Sequence, residues 1–169
     1  GIWRALAPFQ RYGVSWIVKN NGRALLADEP GLGKTIQLLA FLQHLKAEQE
    51  LKRPVLLIAP TSVLTNWARE AAQFTPELAV MEHYGPKRAA TAAALKKALK
   101  GVDLVLTSYG LMQRDNELLG SFDWQGLVID EAQAIKNAGS KQSQAARTLA
   151  RPSRQSRFRI ALTGTPVEN

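Results

Sequence analysis

Two short segments of the chain carry residues suited to phosphate chemistry. The first is Gly31-Leu32-Gly33-Lys34-Thr35, which follows the apolar run Ala24-Leu25-Leu26-Ala27 and leads into a helical pattern. Gly31 and Gly33 let the backbone curl, so that the amides of Gly31, Leu32, Gly33, Lys34 and Thr35 can turn towards one anion. A helix N-terminus at the same place adds partial positive charge. In such a loop Lys34 reaches the β- and γ-phosphates of ATP, and Thr35 offers its hydroxyl to Mg²⁺. The competing reading is a Gly-rich turn with an incidental Gly-Lys-Thr.

The second segment is Asp130-Glu131, at the end of Gly126-Leu127-Val128-Ile129. An apolar strand that ends in two acids is costly unless the charges meet a cation or water. Side chains alternate along a strand, so adjacent acids point in different directions. That suits a division of labour. Asp130 helps hold Mg²⁺, directly or through water, while Glu131 orients and deprotonates an attacking water. Alone, the pair reads as a solvated strand end; joined to the phosphate loop, it reads as catalytic. A third segment, Thr163-Gly164-Thr165-Pro166, follows a further strand pattern, and Gly164 with Pro166 forces a turn there. Thr163 and Thr165 either hydrogen-bond to Gln133 or Glu131 and report the phosphate state, or make a plain hydroxyl-rich turn.

The elements that must position these segments follow from hydrophobic pattern. Strands are predicted over 24–27, 55–59, 79–84, 102–107, 126–129 and 159–162, and helices over 35–48, 62–74, 87–100, 111–119 and 140–149. Ser62 and Ser140 are expected to cap their helices. Gly101 is expected to end the third in a left-handed conformation. Leu64, Trp67, Ala68 and Ala71 make one apolar helix face, and Trp67 is read as core packing. The runs 55–59 and 127–129 are continuously apolar, as strands buried on both faces should be. Strands alternating with helices predict an α/β three-layer sandwich with a mainly parallel sheet. Ligands then bind beyond the carboxyl ends of the strands, which places the phosphate loop and the acid pair on one rim.

Composition sets the bounds. The 169 residues suffice for one domain, taken as 1–169. Net charge is +8, which fits a polyanionic partner or a merely soluble basic domain. There is no cysteine, so disulfides, thiolate metal sites and cysteine nucleophiles are excluded. His44 and His83 have no ligand-spaced partners and are read as surface or packing residues. No apolar run is long enough to span a bilayer, and no leader pattern is visible. Arg147, Arg151, Arg154, Arg157 and Arg159 form a basic cluster, either DNA-facing or simply solvated.

Taken together, the motifs resemble those of the Swi/Snf-like ATPases of helicase superfamily II. The resemblance rests on Leu6-Ala7-Pro8-Phe9-Gln10-Arg11-Tyr12-Gly13, Leu26-Ala27-Asp28-Glu29-Pro30-Gly31-Leu32-Gly33-Lys34-Thr35, Ala59-Pro60-Thr61-Ser62-Val63-Leu64-Thr65-Asn66-Trp67, Leu106-Thr107-Ser108-Tyr109, Asp130-Glu131-Ala132-Gln133 and Thr163-Gly164-Thr165-Pro166. It implies an N-terminal RecA-like P-loop NTPase lobe that binds ATP with Mg²⁺ and hydrolyses it when joined to a second RecA-like lobe. Gln10 is similar to the family's adenine-reading glutamine. Asp28 stands where the general phosphate-loop pattern has Gly but where this family also has Asp. Pro30 departs from the family's usual Met and has no N–H to donate. Gln133, where many members have His, resembles a bacterial branch, which implies a cytoplasmic, nucleoid-associated protein without a membrane segment. By position, Pro60, Thr61, Asn66, Ser108, Tyr109, Lys136 and Asn137 are implied duplex-DNA backbone contacts. The implied work is translocation on DNA, with RNA polymerase or another DNA-bound protein as a target. Other superfamily II motors, a non-catalytic nucleotide-dependent platform and a small-molecule P-loop kinase are the alternatives.

Overall fold

A computed structural model describes residues 2, 6, 11, 23–27, 33–135, 139–149 and 158–163; for 23–27 and for Gln133 it describes the backbone. Six parallel strands form one sheet: β1 (Arg23–Ala27), β2 (Val55–Ala59), β3 (Val80–Glu82), β4 (Leu104–Ser108), β5 (Gly126–Ile129) and β6 (Phe158–Thr163). Their spatial order is β1-β6-β5-β2-β4-β3. The helices are α1 (Lys34–Ala47), α2 (Thr61–Phe74), α3 (Ala92–Ala98), α4 (Tyr109–Arg114), α5 (Asn116–Gly120) and α6 (Lys141–Leu149).

The order has one consequence for function. The chain leaves β1 and returns at β2, skipping two places that β5 and β6 later fill. Because every neighbouring pair is parallel, the carboxyl ends of β1, β6 and β5 lie side by side on one rim. The register sets Ala27 beside Thr163, and Ile129 beside Ala161. At about 4.8 Å per strand, the ends of β1 and β5 lie about 10 Å apart across β6.

Alternation along the strands divides the core into two layers. Val55, Leu57, Ala59, Leu104, Leu106 and Val128 pack with α1 and α2 through Leu38, Phe41, Leu42, Leu64 and Trp67. Leu56, Ile58, Val105 and Leu127 pack with the later helices through Leu95, Met112, Leu119, Ala145 and Ala146. Both faces of β2 and β4 are buried, which explains their unbroken apolar sequence. Gly126 has a packing reason to be glycine, because a Cβ there would collide with the Phe158 ring on β6. None of the helices among the described residues is long and apolar enough to cross a membrane.

The mainly parallel three-layer sandwich is as expected, and so are the cap by Ser140, whose Oγ accepts the Ser143 N–H at 3.1 Å, and the left-handed Gly101 at φ 73. Several boundaries differ. Ser62 is not a cap: α2 starts at Thr61 with Pro60 in the cap position, because β2 runs into the helix with no intervening loop. The helix expected over 87–100 is confined to Ala92–Ala98, where Thr91 accepts the Ala94 N–H. Arg88 is drawn away from it to Asp115 and to the carbonyl of Gly85. The helix expected over 111–119 is two. It begins at Tyr109, capped by Ser108, and breaks at Asp115. The carboxylate of Asp115 is occupied by His83 at 2.8 Å and Arg88 at 2.6 Å. The strand expected over 79–84 is shorter and lies at the edge of the sheet, and His83 just beyond it is buried while His44 is exposed.

Candidate active site

Gly33 stands at the cap position of α1 with φ 79 and ψ 39, a left-handed conformation that glycine adopts without strain. No side chain caps this end, and no acid occupies the first turn. The positive end of a 14-residue helix therefore faces the rim unneutralised by protein groups on its own turn. Lys34 and Thr35 lie in that first turn, both half-buried. The next two turns are almost wholly buried, from Gln37 to Leu42, so the helix is clamped against the sheet and cannot retreat from the loop it carries.

Across β6 stands Asp130. Its N–H continues the ladder to the Ile58 carbonyl at 2.8 Å, and it is 8% exposed. Oδ2 accepts the indole N–H of Trp67 at 2.8 Å, and Oδ1 accepts the Glu131 N–H at 2.9 Å. Burial pushes the Asp130 carboxyl up. The Trp67 and Glu131 hydrogen bonds pull it down, the Glu131 charge pushes it up, and the Lys34 charge pulls it down. Lys34 is thus among the charges that act on Asp130. Glu131 is half-buried, and its backbone lies at φ 54, a left-handed value in a residue other than glycine. A 3₁₀ turn, Ala132–Ile135, follows, with the Ala134 N–H on the Glu131 carbonyl at 2.8 Å. Thr163, the last residue of β6, is buried between the two groups' strands.

A magnesium ion fits these residues. Thr35 and Asp130 offer hard oxygen donors, and Mg²⁺ is held by one or two such protein groups together with waters and phosphates. Each carboxylate oxygen of Asp130 spends one lone pair internally and keeps another. Among the described residues no cluster of three or more acids or imidazoles could cage a metal without a substrate.

The implied DNA residues divide. Thr61 is exposed at the start of α2, Pro60 is half-buried, and Asn66 takes a hydrogen bond from Arg69. Ser108 and Tyr109 turn inward. The Ser108 Oγ caps α4, and the Tyr109 hydroxyl donates to the carbonyls of Asp130 and Glu131. Burial, then the charges of Asp130 and Glu131, push the Tyr109 hydroxyl's pKa up. Thr61, Ser108, Arg88, Arg114 and Tyr84 line an open cleft of about 560 Å³ on the rim beyond β2, β4 and β3. Its two arginines and the half-exposed Tyr84 were not singled out by sequence, since nothing in their spacing marks them. Trp67 packs in the core as its helical spacing implies, but its polar atom has a second use. The rule that a buried indole N–H needs a partner was the available signal. Gln10, Asp28, Gly31, Leu32, Lys136, Asn137, Gly164 and Thr165 lie outside the described residues, as does the Gln133 side chain.

A model of the SNF2-related domain matches residues 9–169. The chain is 47% identical over 167 residues to the putative ATP-dependent helicase/translocase YwqA of Bacillus subtilis, covering 97% of this chain and 18% of that protein. It is 40% identical over 169 residues to the ISWI chromatin-remodeling complex ATPase ISW1 of Saccharomyces cerevisiae, of which it spans 14%. Among solved structures, the Sulfolobus solfataricus SWI2/SNF2 ATPase core in complex with dsDNA superposes with a TM-score of 0.83 at 40% identity, covering 97% of this chain and 33% of that one. With that family model matched over residues 9–169, on a parallel sheet whose rim joins a glycine-ended helix to a buried strand-end carboxylate, the chain belongs to the SNF2-related domain family.

Proposed function

We propose that this chain is the ATP-binding lobe of a DNA-dependent ATPase that translocates on duplex DNA. The observation that carries the reading is the placement of the α1 N-terminus, with Lys34 and Thr35, and of Asp130 at carboxyl ends of strands that share one rim with only β6 between them. In this reading the amides of the loop and the N-terminus of α1 bind the phosphates, and Lys34 neutralises the β- and γ-phosphate charge. Thr35 and Asp130 hold magnesium, which when bound offsets the charge that develops on the phosphates. Glu131, whose backbone stands in the left-handed region directly after Asp130, takes the proton of the attacking water. Gln10 and Asp28 complete the nucleotide site, and Gln133 with Thr163, Gly164 and Thr165 relays its state.

A lobe of this kind supplies half of a catalytic centre. Arginines from a second lobe, worth about 10³–10⁵ in rate in related phosphoryl transfers, complete it. The duplex-DNA reading is supported by the net charge of +8, by the rim cleft with Thr61, Arg88 and Arg114, and by the DNA held by the solved archaeal relative. Contacts to phosphate, not to bases, suit translocation without sequence preference. The moved target, an RNA polymerase or another DNA-bound protein, is a property of the whole protein. The test is DNA-stimulated ATP hydrolysis by the whole protein against its Lys34→Ala variant. Loss of turnover in the variant supports the reading, and unchanged turnover contradicts it.

A further inference from the structure

Trp67 and Tyr109 have no part in the phosphate chemistry just described, yet both end on the carboxylate pair. Trp67 is 1% exposed on α2, and its one polar atom is spent on Asp130 Oδ2. Tyr109, at the start of α4, places its hydroxyl on the Asp130 carbonyl and, at 3.3 Å, on that of Glu131. The two side chains approach from opposite layers of the sandwich, Trp67 from the α1–α2 side and Tyr109 from the other.

Each contact opposes a specific freedom. The terminal torsion of an aspartate is broad, so a carboxylate bound at one oxygen alone can swing. With the indole on Oδ2 and the Glu131 N–H on Oδ1, the Asp130 carboxylate plane is fixed and its remaining lone pairs are aimed. The left-handed backbone of Glu131 is strained in a residue other than glycine and lasts only where its surroundings impose it. Tyr109 holds the two carbonyls that bracket that distortion.

We propose that Trp67 and Tyr109 are positioning residues for the metal-binding carboxylate and the water-activating glutamate. Trp67 fixes the Asp130 side chain, and Tyr109 fixes the backbone that aims Glu131. The assignment rests on the nucleotide-site reading, and the following experiment separates the two. ADP binding to the chain is measured by calorimetry with and without Mg²⁺, for wild type, Trp67→Phe and Tyr109→Phe. Loss of partners that orient metal ligands costs about 10–100-fold in metal affinity. The magnesium-dependent gain in ADP affinity should therefore fall at least about 10-fold in Trp67→Phe, and measurably in Tyr109→Phe, while magnesium-free affinity stays at wild type. An undiminished gain, or equal weakening with and without Mg²⁺, overturns the positioning role and leaves the nucleotide reading standing. A wild-type chain whose ADP affinity ignores Mg²⁺ overturns both. Should a variant fail to fold, the wild-type indole N–H resonance of Trp67 decides. It should shift when Mg²⁺ is added to the ADP-loaded chain and not in Asp130→Asn, and a resonance that does not move defeats the assignment.

Discussion

Trp67 Nε1 donates to Asp130 Oδ2 at 2.8 Å, across 63 positions of sequence. The bond ties the helix after β2 to the acid after β5, two strands that are neighbours in the sheet. A buried carboxylate that keeps its charge needs such donors, because burial alone favours the neutral form.

Lys34→Ala should weaken ATP binding about 10- to 100-fold, the worth of hydrogen bonds between charged groups. Lys34 is only half-buried in the first turn of α1, so thermal stability should change little. Calorimetry with ATP, paired with a melting curve, separates the two effects. Unchanged affinity would remove the lysine from the site.

Two glycines should answer oppositely to alanine. Gly126→Ala drives a methyl into the Phe158 ring and should cost about 1–3 kcal/mol, as overpacked cores do. Gly110 lies exposed in α4 with open space where its Cβ would be. Gly110→Ala should stabilise by about 0.5–1 kcal/mol. Denaturant unfolding reads both signs.

Asp115 gives a pH dependence. The Arg88 hydrogen bond lowers its carboxyl most, burial raises it, and His83 lowers it further, for a net value below the ordinary range. A depressed folded-state value means stability that is present above the unfolded carboxylate range and lost as pH falls through the folded value. Asp115→Ala should cost about 1–3 kcal/mol at neutral pH, because it takes from the buried His83 ring nitrogen the partner it has in Asp115. The gap between wild type and variant should narrow in acid. A gap that widens in acid would contradict the assignment.

If the rim cleft carries DNA, Arg114→Ala in the whole protein should weaken binding equally for unrelated duplex sequences. The salt dependence of binding should fall by about one phosphate contact. Fluorescence anisotropy across a salt series measures this. A sequence-dependent loss would point to base contacts instead.

Much of the sandwich was legible because parallel strands buried on both faces have to be apolar throughout, as Val55-Leu56-Leu57-Ile58-Ala59 is. The turn at Gly33 into α1 and the strand-end place of Asp130 were legible because glycine interrupts the apolar pattern before a helix and an acid ends an apolar strand. Helix limits near 87 and 115 were not, since they depend on Asp115 collecting His83 and Arg88, contacts between segments distant in sequence. The inward turn of Tyr109 was hidden for the same reason: a tyrosine after a strand looks alike whether it faces solvent or a carbonyl of another loop.

The central claim is that the loop at Gly33–Thr35 and the acids at 130–131 serve one metal-bound triphosphate. Crystals grown with Mn²⁺ and a non-hydrolysable ATP analogue test it, because the anomalous signal locates the metal independently of the refined chain. The expected peak lies beside the β- and γ-phosphates, about 2 Å from the Thr35 hydroxyl, with the Asp130 carboxylate touching it directly or through one water. A peak bound to only one of those two residues, or a nucleotide seated away from the N-terminus of α1, would contradict the account.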